Sequence, residues 1–189
     1  MNNGRRISND ESFVILGAVL AGGESSRFGS DKALATLDGR TLLISAVDAL
    51  SGWCEHVVVI GRETAPAPTL PDWPRSGMGP LAGIAAALHH ARDEGYASVL
   101  TCGVDSAGLP RGLRSLLSPA PAFLESQPVI GHWPADACDA LERILTSGDN
   151  HSMRHFAQAI GARSVQAARE PANINTPDDL RRLETRDGS

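Results

Sequence analysis

Val14-Ile15-Leu16-Gly17-Ala18-Val19-Leu20-Ala21-Gly22-Gly23-Glu24-Ser25-Ser26-Arg27-Phe28-Gly29-Ser30-Asp31-Lys32-Ala33 is the stretch from which the rest of the chain is read. Its first part belongs to an apolar run over residues 13–20, compact enough for a strand buried on both faces. The run ends in two adjacent glycines, where the missing Cβ lets backbone N–H groups turn toward an anion. Arg27 and Lys32 then add positive charge, one as a planar fork and the other as a point charge. Lys32 is the only lysine of the chain; every other basic side chain is an arginine. The stretch reads as a loop that holds the phosphates of a nucleotide.

Two other phosphate loops are excluded by spacing. A dinucleotide turn needs G-x-G-x-x-G, but Gly22 and Gly23 are adjacent and the next glycine is Gly29. A Walker A loop needs G-x-x-x-x-G-K-[ST], and here Ser30-Asp31 separate Gly29 from Lys32.

Outward from the loop, strand-like and helix-like segments alternate. Asp38-Gly39 is a turn. Leu42, Leu43, Ala46, Val47 and Leu50 follow helical spacing, and residues 56–60 (HVVVI) form a second buried strand. Residues 61–79 hold four prolines and no periodicity, a loop long enough to be functional. A helix follows to about Ala91, then a third strand over residues 97–101. This β-α-β-loop-α-β order predicts an α/β, three-layer Rossmann-like fold with a mostly parallel central sheet and helices on both faces. Ligands of such sheets bind beyond the carboxyl ends of the strands. The second half predicts helices over 109–117, 139–145 and 151–160, and strands over 127–132 and 162–167. Thr176-Pro177-Asp178-Asp179 combines an N-cap, a first-position proline and first-turn acids, so a helix is expected from Pro177 to about Thr185.

The chain has 189 residues and a formal net charge of −5, with no basic run of the kind that marks a duplex nucleic-acid binder. No apolar run approaches the roughly 18 residues of a membrane span. Residues 1–12 are polar and lack the apolar core of a signal peptide, so they read as a tail ahead of a single domain over 13–186. Cys54, Cys102 and Cys138 are odd in number and widely spaced, which indicates neither zinc nor a disulfide framework. Buried thiols in a reducing compartment fit a cytoplasmic protein. His89 and His90 sit late on a helix and are expected to be exposed. His151 and His155 share a spacing seen in zinc sites but lack its accompanying glutamate. Trp133 reads as core.

Chemistry at a triphosphate calls for Mg²⁺ held by few protein oxygens. Asp105, after the third strand and before a turn, is the candidate ligand. Asn173 and Asn175 are amides just ahead of the last helix. Gly79-Pro80-Leu81-Ala82-Gly83-Ile84 opens a helix with small residues, against which a flat base can lie.

These motifs together resemble the molybdenum cofactor guanylyltransferase family. Residues 20–33 are similar to its L-A-G-G-x-S-x-R-x-G-x-D-K-A signature, 79–84 to its G-P-L-A-G-I segment, and 173–180 to its N-I-N-T-P-x-D-L ending. The resemblance implies a nucleotidyltransferase that joins GTP to a molybdopterin-type cofactor and releases pyrophosphate. It implies nucleotide binding by Leu20, Ala21, Gly22, Gly23, Arg27, Lys32, Asp72, Gly79 and Asp105, with catalytic roles for Lys32, Arg27 and Asp105. Mg²⁺ falls to Asp105, with Asn175 as a second ligand. Asn173, Asn175 and Arg154 are the pterin candidates, and a molybdoenzyme or cofactor-insertion protein the partner that receives the product. The chain departs from the family at Ala107, where a proline is usual after the metal aspartate, and at Gly61, where a base-contacting asparagine is common. A cytidylyltransferase for the same pterin carries L-A-A-G and D-I-D-T-P in place of the L-A-G-G and N-I-N-T-P found here. A nucleotide-binding accessory protein without turnover is the reading from another class.

Overall fold

The computed structural model describes residues 14–23, 31–147 and 151–187. The stretch 1–12 and Arg27 lie outside the described residues. The first half runs β1 (Ile15–Leu20), β2 (Thr36–Leu37), β3 (Arg40–Thr41), α1 (Leu42–Ser51), β4 (His56–Ile60), β5 (Thr69–Leu70), α2 (Pro80–Asp93) and β6 (Ser98–Gly103). The second adds β7 (Ser106–Ala107), α3 (Leu113–Leu116), β8 (Ala122–Leu124), β9 (Gly131–Pro134), α4 (Cys138–Thr146), α5 (Met153–Ala159), β10 (Arg163–Val165), β11 (Ala172–Asn173) and α6 (Pro177–Asp187).

Among the described residues the main sheet has seven strands in the order β10-β8-β9-β6-β1-β4-β5. β1 pairs in parallel with both β4 and β6, β4 with β5, and β8 with β10; β9 runs antiparallel to β6 and β8. The α/β fold with a mostly parallel sheet is the one the alternation predicted. Side-chain alternation along β1 builds its layers. Leu16 and Ala18 pack with α2, α4 and α5, whereas Ile15 and Val19 pack with α1 and α3 on the opposite face. Trp133 is fully buried, its indole N–H donating to Thr101 Oγ1 at 2.9 Å and its ring 5.2 Å from that of Phe156, so it is core as expected.

Local signals held best where they were chemical. Thr41 Oγ1 caps α1 by accepting from the Ile44 amide at 3.2 Å. Thr176 and Asp179 form a reciprocal cap at the start of α6: Thr176 Oγ1 accepts from the Asp179 amide at 3.2 Å, and Asp179 Oδ2 accepts from the Thr176 amide at 2.9 Å. The second half moved most. The strand expected over 127–132 lies at β9, and residues 127–130 form a turn closed by the Ile130 amide on the Gln127 carbonyl at 2.9 Å. Pro128 has no N–H to give a ladder, so pairing begins only beyond it. The helix expected over 109–117 shortens to α3, because Pro110 and Gly112 leave its first turn weak. β5 and β8 were not anticipated; both are too short, and too close to prolines, to carry a period. Among the described residues, no helix is long and apolar enough to cross a membrane.

Candidate active site

The carboxyl ends of β1, β4 and β6 open into a cavity of about 450 Å³. Gly22, Gly23, Asp72, Gly79, Asp105 and Asn173 all line it, which brings together most of the residues singled out from sequence. Ala21 lies beneath, its amide donating to the Ile60 carbonyl at 3.0 Å, so it shapes the turn through its backbone. The first turn of α2 forms one wall, and the partial positive charge of a helix start suits an anionic ligand there.

Lys32 and Asp105 meet across this opening. Lys32 Nζ donates to Asp105 Oδ2 at 2.8 Å, and the two side chains are 15% and 27% exposed. Such a partly desolvated pair holds its geometry, and loss of either partner strands the other charge. Asp105 folds back over Gly103, where any Cβ would collide with its carboxylate. Lys32 opens a short 3₁₀ turn whose cap is Asp31, with Oδ1 accepting from the Ala33 amide at 3.1 Å. Arg62 grips the same carboxylate with two nitrogens, at 2.9 and 2.6 Å. That fork, through its hydrogen bonds and charge, holds the Asp31 carboxyl below its ordinary range of about 3.8 despite the opposing desolvation. Arg62 thus fixes the turn that aims Lys32. The sequence reading passed over Arg62, although its place directly after β4 was a usable signal.

Asp72 arrives from the proline-rich loop. β5 adds that loop to the sheet edge, with the Gly61 amide donating to the Leu70 carbonyl at 2.9 Å, and the Trp73 amide donates to the Ala82 carbonyl at 3.1 Å. The carboxylate therefore rests beside Gly22, Gly61 and Gly83, so close that a Cβ on Gly22 would lie 3.3 Å from Oδ2. Among the described residues no side chain pairs with it, and burial raises its pKa above 3.8. Gly61 itself has φ +81°, and a Cβ there would lie 2.6 Å from Gly22 Cα. An asparagine at this position would push on the Gly22-Gly23 turn, a physical reason for the glycine.

The C-terminal motif reaches the site by strand pairing. β11 lies antiparallel to β7, matching Asn173 with Ser106 and Ala172 with Ala107, and the Ile174 amide donates to the Asp105 carbonyl at 3.0 Å. Ala107, the position at which the sequence resemblance led to the expectation of a proline, is thus held by strand pairing. Gln127, buried, ties both sides: Oε1 accepts from the Ser106 hydroxyl at 3.0 Å, and Nε2 donates to the Pro171 carbonyl at 2.7 Å. Asn175 is exposed and does not line the cavity; its backbone N–H donates to Asp179 Oδ2 at 3.1 Å. Arg154 is exposed on α5 and also lies outside the lining. Residues 126–129 line the cavity, and of these 127–129 fall in the strand expected over 127–132.

Residues 17–170 match the MobA-like NTP transferase domain. A molybdenum cofactor guanylyltransferase of Acidiphilium cryptum is 39% identical over 177 residues, covering 86% of this chain and 90% of that one. A second, from Rhizobium johnstonii, is 34% identical over 187 residues, covering 88% and 90%. The crystal structure of molybdopterin-guanine dinucleotide biosynthesis protein A from Archaeoglobus fulgidus superimposes with a TM-score of 0.73 at 21% identity, covering 92% of this chain and 98% of that one, and so shares the fold.

Proposed function

The chain belongs to the MobA-like NTP transferase domain family, and on that premise we propose that it transfers GMP from GTP to a molybdopterin-type molybdenum cofactor, releasing pyrophosphate. The observation that carries this reading is the convergence of the glycine turn, the Lys32–Asp105 pair and the unpaired Asp72 carboxylate on one cavity. A carboxylate offers acceptors only. Guanine presents two adjacent donors, N1–H and the N2 amine, along its pairing edge, whereas cytosine presents one donor beside acceptors. Asp72 therefore supports guanine.

The donor set fits Mg²⁺, which takes few protein oxygens and keeps several waters. Asp105 supplies a carboxylate and Asn173 an amide in the same cavity, which favours Asn173 over Asn175 as the second ligand. When bound, the ion neutralises phosphate charge and helps to orient the reacting oxygens. Lys32 exchanges Asp105 for a phosphate oxygen of GTP. The amides of Gly22 and Gly23 hold the phosphate tail, with Arg27 added from the same loop. An oxygen of the pterin's terminal phosphate bonds to the α-phosphorus as the bond to the bridging oxygen breaks, and its electron pair leaves with pyrophosphate. Positioning and charge stabilisation supply the catalysis, so no protein nucleophile is needed. The free state of all three cysteines supports action in the cytoplasm, with the product passed to a molybdoenzyme or cofactor-insertion protein.

Pyrophosphate release measured with GTP, CTP, ATP and UTP, each with and without molybdopterin and Mg²⁺, tests the reading. Turnover with GTP that requires molybdopterin is the expected result. Turnover with CTP alone would reassign the base, and nucleotide binding without turnover would make the protein an accessory factor.

A further inference from the structure

His89 lies near the end of α2, and Cys138 and Glu142 lie one turn apart at the start of α4. The two helices pack together on the face of the sheet that carries Trp133, and the ligand atoms of these three residues lie within 4.8 Å of one another. Cys138 is buried, and His89 is half-buried rather than exposed as its helix position had suggested.

The distances are close to those around a tetrahedral cation, and the alignment at His89 is not that of a hydrogen bond. With Zn–N and Zn–O near 2.1 Å and Zn–S near 2.3 Å, tetrahedral angles place N and O about 3.4 Å apart and S and O about 3.6 Å apart. Here His89 Nε2 is 3.1 Å from Glu142 Oε1, and Cys138 Sγ is 3.7 Å from the same oxygen. His89 Nε2 is shielded from solvent yet has no hydrogen-bond partner, so its N–H axis misses the nearby carboxylate oxygen. A short distance without alignment is what donor atoms sharing a third point produce. We infer that His89, Cys138 and Glu142 form a binding site for a borderline-soft divalent cation of the Zn²⁺ class, clamping α2 to α4. The mixed N, S and O donors select such an ion over Mg²⁺, which takes oxygen.

Arg92 is the competitor. Its Nη2 lies 3.1 Å from His89 Nδ1 and 3.7 Å from Glu142 Oε1, while Nη1 donates to Asp139 Oδ1 at 3.0 Å. Arginine only donates, so Nδ1 here is the bare ring nitrogen and Nε2 carries the proton. A metal on Nε2 reverses this tautomer, and the guanidinium must withdraw onto Asp139. Burial, with Glu142 adding to it against the opposing charge of Arg92, pushes the Cys138 thiol up to about 11, and a bound cation takes the place of that proton. Trp73, whose ring centroid is 4.5 Å from that of His89, directly follows Asp72 and reports on the site.

Metal-free full-length protein is titrated with Co²⁺ and then Zn²⁺, following absorbance and tryptophan fluorescence. The expected result is one Co²⁺ per chain with tetrahedral ligand-field bands and a thiolate charge-transfer band, both bleached by Zn²⁺. Cys138→Ser should abolish the thiolate band, and His89→Gln should weaken binding by at least about tenfold. His89→Gln lies at a half-buried position and keeps the test available if Cys138→Ser fails to fold. Arg92→Ala should tighten binding. Absence of binding, an octahedral Co²⁺ spectrum, or a thiolate band that survives Cys138→Ser would overturn the site. Unchanged or weaker affinity in Arg92→Ala would overturn the assignment of Nε2 as ligand.

Discussion

Gly61→Ala tests the packing that sets the phosphate turn. The native residue has φ +81°, which costs an alanine about 1–2 kcal/mol. The added Cβ would lie 2.6 Å from Gly22 Cα and 2.9 Å from Gly22 N, both backbone atoms that no rotamer change can move. Relief requires β1 and β4 to separate at their carboxyl ends, at an overpacking cost of about 1–3 kcal/mol. A total near 3 kcal/mol lowers the melting midpoint of a chain this size by about 6–12 °C. The strain falls on Gly22, so GTP affinity should drop with stability. Gly61→Asn separates the two costs: asparagine tolerates positive φ but carries the same Cβ. It should be destabilised by about 1 kcal/mol less than the alanine variant. Thermal unfolding by circular dichroism and GTP titration by calorimetry read both effects. An alanine variant that melts within about 2 °C of the parent, less than 1 kcal/mol for this length, and binds GTP normally would refute the close approach.

Asp105→Asn and Lys32→Met should each slow turnover at least about a hundredfold, the scale of losing one electrostatic stabiliser, and the double variant should be less destabilised than the sum of the singles in urea titrations. Asp72→Asn should weaken GTP binding while stabilising the nucleotide-free protein. Burial raises the Asp72 pKa, so this group's contribution to stability is full at pH values below about 3.8 and is lost as pH rises through the raised value. The variant's advantage in melting temperature should therefore grow from acid to neutral pH, and a constant difference would refute the cause. Arg62→Ala removes a half-buried guanidinium from an exposed carboxylate, an ion pair contributing at most about 1 kcal/mol, so the melting midpoint should fall by no more than about 4 °C while turnover slows as the turn beneath Lys32 loosens. In the same variant NMR should show the Asp31 pKa rising toward its ordinary value.

Much of the site was legible because its signals are local. The apolar run into Gly22-Gly23 marks a strand and its turn within ten residues. Gly79-Pro80 marks the start of α2, and Thr176-Pro177-Asp178-Asp179 the start of α6. The cap of α6 formed as read because all its partners lie within one helical turn. The second half was harder to read because β7, β8 and β11 are two or three residues long and carry no period, although β10 falls within the strand expected over 162–167.

The amino-acid order alone determined the β-α alternation, the parallel core of the sheet and the glycine turn followed by the single lysine, since each follows from spacing that backbone geometry reads directly. Only the tertiary structure decided that β11 pairs with β7 and carries Asn173 to Asp105, that Arg62 locks Asp31, and that Asp72 rests against Gly22, Gly61 and Gly83. Those partners are far apart along the chain, and their meeting depends on strand order and on the space left by absent side chains. Neither is expressed in any local pattern.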